Sequence, residues 1–381
     1  MHVHNAHIYS PENDRYHYRK LFNKAIGDVF YQAMQIIDHS PLLIPYAISM
    51  IRYQKKAARL RRQYEKEGLL VPPVIIMSIT SRCNLLCTGC YMHARKEDYA
   101  LEMSPSLLAS IVDQAEEIGV SIIVFAGGEP FVRYEEIIQI AAAHPDLLMP
   151  VFTNALLITE DVANTLASYR NIVPMVSFEG SCEETDARRG KGTYDKLLLV
   201  CALFLSKRIF FGCSITATRF NLDTITGDAF IKQMIDNGAQ VFSYVEYVPM
   251  TREAESFALT LIQKEYLVDR IANLNKQYPA LFVGFPGNEE YYGGCLAAGR
   301  GFIHVSPSGD LEPCPAAPYA DANLTKMPLK DALKSEFLQK LRDTPEILTE
   351  TGGGCALWAR REQIQEFISN SSPSELRDLR E

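Results

Sequence analysis

Residues 74–90 read VIIMSITSRCNLLCTGC. The opening Val74–Ile79 run is apolar and β-branched, as expected of a strand. The loop that leaves it places Cys83, Cys87 and Cys90 within eight residues. Three thiolates at that spacing can wrap one soft metal centre and leave a position open for chemistry. The other readings of the triad are a zinc site completed by His93, as Cys₃His, and three inert buried thiols.

Working outward, the pattern of a short apolar run followed by a longer helical segment repeats. Strands are expected at Val74–Ile79, Ser121–Phe125, Met149–Thr153, Ile172–Ser177, Phe210–Thr216 and Val241–Tyr247. Helices are expected between them, at Ser104–Ile118, Tyr134–Ala143, Glu160–Ser168, Tyr194–Ser206 and Thr224–Asn237. Alternation of this kind implies parallel strands with crossover helices, and runs such as SIIVF suit a sheet covered by helices. The expected fold class is α/β: a partial (β/α)6 TIM-like barrel, favoured over a doubly wound sheet from which periodicity alone does not separate it, with a helical N-terminal extension and a small α+β C-terminal domain. The corresponding division is 1–70, 71–250 and 251–381. In such barrels the loops at the C-terminal ends of the strands carry the active site, and the cysteine loop lies at one of them.

From about residue 251 the alternation is expected to stop. A helix near 262–276 leads to Gly293-Gly294-Cys295. Phe302–Val305 and Leu311–Pro313 flank Ser306-Pro307-Ser308-Gly309-Asp310, which reads as a hairpin, and helices follow at about 329–342 and 359–369. The polar end SNSSPSELRDLRE reads as frayed.

The chain has 381 residues, 47% hydrophobic and 22% charged, with a formal net charge of −8. That balance gives no global attraction to nucleic acid, and no nucleic-acid partner is expected. There is neither a secretory signal nor an apolar stretch long enough to cross a membrane, so the cytoplasm is the default compartment. Nine cysteines, an odd number, argue against a disulfide framework there.

Residues 23–66 pass from apolar (Val29, Phe30, Met34, Ile37) to basic (Arg52, Lys55, Lys56, Arg59, Arg61, Arg62, Lys66), and Gly68 with Pro72-Pro73 ends the helix. The favoured reading is a helical cap on the barrel with a solvated basic face. Peripheral membrane contact and docking of an acidic peptide are the alternatives. His2, His4 and His7 read as a disordered end rather than a metal site.

The C-x3-C-x2-C spacing, with Tyr91 next, resembles the cluster loop of the radical S-adenosylmethionine (SAM) superfamily. Ala126-Gly127-Gly128-Glu129-Pro130 after the second strand resembles that family's GGEP motif. The resemblance covers residues 74–250 and implies a SAM-binding 4Fe–4S cluster on Cys83, Cys87 and Cys90. It implies SAM contacts from Gly127, Gly128 and Glu129, with weaker matches at Asn154 beside Thr153, Ser177, Arg189 of Asp186-Ala-Arg-Arg-Gly190, and Ser214. Arg188 competes with Arg189, and Thr216 and Val248 are further candidates for the adenosine pocket. Glu179 stands where many relatives carry Asp. The activity implied is reductive cleavage of SAM to a 5′-deoxyadenosyl radical that abstracts hydrogen from a substrate, fed by a ferredoxin- or flavodoxin-type electron donor.

Cys295, Gly309 and Cys314 form C-x13-G-x4-C, and Cys355 follows Gly352-Gly353-Gly354. This resembles the twitch or SPASM-type extension of radical SAM enzymes, with too few cysteines for the full SPASM pattern, so at most one auxiliary iron–sulfur cluster is implied. Its fourth ligand stays open between solvent, substrate, a carboxylate and a backbone group. Scattered core thiols are the alternative. Cys201 and Cys213 read as core, and Cys182 sits near the site mouth.

The expected function is therefore hydrogen abstraction from a peptide side chain, as in the maturation of ribosomal peptides. The alternatives are a radical SAM enzyme on a small molecule or lipid precursor, and a non-catalytic iron–sulfur sensor or electron carrier.

Overall fold

The computed structural model describes residues 21–27, 29, 32, 44–95, 101–285, 287, 289–349 and 355–369. The expectations for His2, His4, His7, Phe30, Met34, Ile37, Gly352–Gly354 and the polar end at 370–381 lie outside them.

Among the described residues nine strands form one sheet: β1 Val74–Thr80, β2 Ile122–Gly127, β3 Met149–Thr153, β4 Ile172–Phe178, β5 Gly212–Ala217, β6 Val241–Glu246, β7 Leu281–Phe285, β8 Phe302–Val305 and β9 Leu311–Glu312. Their order is β7-β6-β5-β4-β3-β2-β1-β8-β9. Every pairing from β7 to β8 is parallel, and only β8–β9 is antiparallel. The six expected strands are present; β1, β2 and β4 are apolar runs shielded on both faces, whereas β3, β5 and β6 alternate buried residues with half-buried ones. β4 is buried at all seven positions. Helices such as Pro105–Ile118 cross between them; Ser104 caps that helix at Leu107 N–H, and left-handed Gly119 ends it.

Two features differ from the expectation. The helix Leu261–Gln277 leads to a further parallel strand, β7, so the alternation runs one unit beyond residue 250. The anticipated hairpin arm Phe302–Val305 also pairs in parallel with β1, from Val74↔Phe302 to Met77↔Val305. The sheet thus runs on past the sixth strand at both edges. Phe285 at the end of β7 meets Phe302 at the start of β8, ring centroids 4.9 Å apart. The sheet therefore curls until its flanks touch through side chains.

The N-terminal helix Ile44–Lys66 docks on the outside of the barrel. Tyr53 donates to Val120 O at 3.2 Å and Arg61 to Gly119 O at 2.5 Å. A Cβ on Gly119 would lie 2.7 Å from Ala57 O, so this crossing needs glycine. Arg61 is buried, which lowers its pKa to about 10, whereas Arg52, Lys55, Lys56, Arg59, Arg62 and Lys66 stay exposed. The described part of this segment thus packs on the barrel through one face and leaves its basic side chains exposed. Among the described residues no helix is long and apolar enough to cross a membrane.

Candidate active site

A cavity of about 290 Å³ opens at the C-terminal ends of the strands. Cys83, Cys87 and Cys90 line it, and so do Cys295, Cys314 and Cys355. The two cysteine sets, far apart in sequence, line one space: the first follows the end of β1, and the second flanks the β8–β9 hairpin paired with that strand.

The first cysteine loop is strapped down on three sides. At its start Glu102 accepts from Thr80 Oγ1 at 2.7 Å and Ser81 N–H at 2.8 Å. On the β2 side, Gly128 N–H donates to Thr80 O at 2.7 Å and Glu129 N–H to Arg82 O at 2.8 Å. On the far side Thr88 and Arg188 exchange two bonds: Thr88 N–H to Arg188 O at 3.0 Å, and Arg188 Nε–H to Thr88 O at 3.1 Å. Gly89 (φ +69°) packs under Tyr247, whose hydroxyl would lie 2.7 Å from an added Cβ.

Gly127 and Gly128 line the cavity, but the atoms that demand glycine are the cysteine loop's own carbonyls. Added Cβ atoms would lie 2.3 Å from Thr80 O and 2.2 Å from Arg82 O. Glu129 lies behind this wall, fully buried. Its carboxylate accepts from Thr153 Oγ1 at 2.7 Å, Asn154 N–H at 2.7 Å and Phe131 N–H at 3.0 Å. Burial pushes its pKa up, opposed by those donors. Asn154, oriented by this grip, donates to Asn84 Oδ1 at 2.7 Å and reaches Cys83 Sγ at 3.7 Å.

Ser177, Arg189 and Ser214 also line the cavity, as do Thr216 and Val248. Ser177 and Ser214 are register partners on β4 and β5, so their hydroxyls lie side by side. Both arginines grip buried Glu179: Arg188 at 2.6 Å on Oε2, Arg189 at 2.6 and 2.9 Å on Oε1. Two guanidiniums on one carboxylate leave a net positive charge at this wall, suited to an anionic group.

Burial raises the pKa of Cys83 and Cys87, the latter opposed by Arg189 and Arg188, and it raises Cys295, Cys314 and Cys355 as well. Such thiols lose their protons readily only to a metal. Among the described residues no three or more Cys, His, Asp or Glu side chains meet closely enough to hold a single metal ion. Three thiols ringing one end of a cavity fit the ligand demand of an iron–sulfur cluster. Cys201 and Cys213 are buried core, as expected, and Cys182 is exposed.

The cavity also holds Glu246, Lys264, Tyr247 and Glu289, which the sequence reading did not single out. Lys264 Nζ pairs with Glu246 at 2.9 Å. Behind the cysteine loops runs a buried chain of contacts. Tyr91 OH lies 3.3 Å from Ser78 Oγ, Ser78 Oγ 2.8 Å from His304 Nε2, and His304 Nδ1 2.7 Å from Glu312 Oε2. Glu312 takes both Arg95 amino groups, at 2.8 and 2.5 Å.

The Radical SAM superfamily model matches residues 77–225, the span that holds the cysteine loop, the glycine wall and the Glu179 clamp. The chain belongs to the radical SAM superfamily. This radical SAM enzyme is 28% identical over 322 residues to the mycofactocin maturase MftC of Mycolicibacterium smegmatis, covering 78% of each chain. It is 26% identical over 310 residues to the AdoMet-dependent heme synthase of Methanosarcina barkeri, covering 74% of this chain and 88% of the other. Its fold matches Streptococcus suis SuiB bound to its precursor peptide SuiA, with TM-score 0.59 and 20% identity over 75% of this chain and 70% of that one. It also matches native anSMEcpe bound to AdoMet and the Cp18Cys peptide, with TM-score 0.57 and 16% identity over 78% and 97%. As a radical SAM enzyme it uses a 4Fe–4S cluster and SAM.

Proposed function

We propose that this radical SAM enzyme abstracts hydrogen from a peptide side chain during peptide maturation, with Cys83, Cys87 and Cys90 holding the SAM-binding cluster and Cys295, Cys314 and Cys355 an auxiliary one. The observation that carries this reading is that both cysteine sets face one cavity. A substrate seated there touches both centres without leaving the site.

The bound cluster and SAM supply the deoxyadenosyl radical; the protein holds, orients and excludes water. Gly127 and Gly128 bring the β2 backbone against the cysteine loop and would offer SAM a wall of main chain. Arg189, with Arg188, offers the positive charge for the SAM carboxylate. Asn154, Ser177 and Ser214 provide polar contacts along the adenosine side, and Glu129 fixes that wall by holding Thr153 and Asn154. Residues 71–250 form the SAM-binding unit and 251–381 the auxiliary-cluster unit, with 1–70 as an extension. A ferredoxin- or flavodoxin-type donor supplies the electron. A peptide substrate is supported by the maturase name of one relative and by the peptides bound in two structures that share the fold.

A second reading, a small-molecule substrate, is favoured by the resemblance to heme synthases and by the aromatic wall of Phe152, Phe285 and Phe302.

The test is anaerobic. The reconstituted, reduced chain is given SAM, with and without candidate peptides or porphyrins, and 5′-deoxyadenosine is measured. Formation by the native chain and none by the triple variant Cys83→Ala, Cys87→Ala, Cys90→Ala is expected, with stimulation by the true substrate class. Stimulation by porphyrin and not by peptide selects the second reading. No cleavage with either class defeats both.

A further inference from the structure

The second cysteine set offers three thiols, and a four-iron cluster has four corners to ligate. Glu289 opens the short turn Glu289–Tyr292 just before Cys295 and is 4% exposed. A carboxylate that deeply buried is held there for a reason. Its turn is tied to the cysteine loop twice. The Glu289 carbonyl accepts from Gly294 N–H at 2.9 Å, and its Oε1 accepts from Leu296 N–H at 3.0 Å. Gly294 (φ +106°) locks the turn further, since an added Cβ would lie 2.5 Å from Leu348 O, the same carbonyl that receives Cys295 N–H at 2.7 Å. Glu289 shares the cavity with Cys295, Cys314 and Cys355. Its charge adds to burial in raising all three thiols, which places it within electrostatic reach of each.

We infer that Glu289, through its carboxylate, is the fourth ligand of the cluster held by Cys295, Cys314 and Cys355. The inference rests on the proposed auxiliary cluster. A cluster presents each iron to its own ligand, so the four side chains need to ring a volume rather than meet at a point. Carboxylate oxygen is a harder donor than thiolate, so one iron would differ from the other three. With four protein ligands, the cluster offers no open iron to substrate.

The test uses the full chain carrying Cys83→Ala, Cys87→Ala and Cys90→Ala, so that iron retained after anaerobic reconstitution reports the second set alone. Glu289→Gln keeps an oxygen acceptor for Leu296 N–H, and Glu289→Cys restores a fourth thiolate. Thermal unfolding of each cluster-free chain checks the fold. The parent is expected to hold about four irons per chain, one of them distinct by Mössbauer spectroscopy, Glu289→Gln about three, and Glu289→Cys about four with the distinct iron gone. Full iron and an unchanged spectrum in Glu289→Gln would overturn the ligand assignment alone, leaving Glu289 a brace for the loop. So would a loss in Glu289→Gln that Glu289→Cys does not restore. A parent that retains no iron would remove the auxiliary cluster itself, and the ligand with it.

Discussion

Replacing Gly128 by Ala tests whether the glycine wall holds the cysteine loop. The added methyl would lie 2.2 Å from Arg82 O, 2.7 Å from Arg82 C and 2.8 Å from Ser81 O, all backbone atoms that cannot rotate aside. Ordinary contact needs about 3.5 Å, so a gap of about 1.3 Å must open. That gap carries the bonds Gly128 N–H to Thr80 O at 2.7 Å and Glu129 N–H to Arg82 O at 2.8 Å beyond useful length. Two such bonds contribute about 1 kcal/mol each, and overpacking costs about 1–3 kcal/mol, so a loss of about 3–5 kcal/mol is expected. Gly192 is the control: at φ +78° with nothing within 4 Å of an added Cβ, its Ala variant incurs only the backbone cost of about 1–2 kcal/mol. Denaturant unfolding of the cluster-free chains, followed by circular dichroism, compares the two. Cys83 adjoins Arg82, so a displacement of about 1 Å should also reduce SAM cleavage on the order of 100-fold. A Gly128→Ala chain as stable as Gly192→Ala, with native cleavage, would refute the reasoning.

Other outcomes follow from the buried network. Arg95→Met removes the guanidinium from buried Glu312 and leaves it only the His304 ring, and about 3–5 kcal/mol of stability should disappear, read as a lowered denaturation midpoint. Burial lowers the His304 pKa, and Glu312 is lowered because Arg95 and His304 outweigh its burial. The unfolded chain therefore takes up both protons first as pH falls. The His304 contribution to the stability of the cluster-free chain should be constant between pH about 6.5 and the thiol range near about 8.5 and decline below about 6.5, with Glu312 adding to the decline below about 4.3. A midpoint that does not change between pH 7 and 5 would contradict the His304 part. Glu129→Gln must turn an amide N–H toward one of three donors, so a loss of about 2–4 kcal/mol is expected, with weaker SAM binding measured by calorimetry.

Much of this site could be read from the chain. Cys83, Cys87 and Cys90 announce themselves by spacing, and Gly127-Gly128 by following a strand end. β1 to β6 were legible because β-branched and apolar runs, continuous in β1, β2 and β4 and alternating in β5 and β6, recur between helical segments. β7 was missed because LFVGF is short, contains Gly284 and follows a single long helix with no further repeat to support it. The parallel pairing of β8 with β1 has no local signature, since partners in a parallel ladder are set by the whole fold. Glu246, Lys264 and Glu289 were invisible for a different reason. A lone charged residue reads as solvated surface until the fold turns it inward.

Because β8 pairs with β1 along Val74↔Phe302 to Met77↔Val305, both cysteine sets are anchored to one ladder, the first leaving the end of β1 and the second flanking the start of β8 and the end of β9. There is no hinge between them. An electron passing from one centre to the other would cross a span set by hydrogen-bond register rather than by domain motion. Cutting the chain near residue 250 would strip β1 of β8 and leave it an edge strand beside β2, so the two halves cannot be exchanged as independent modules.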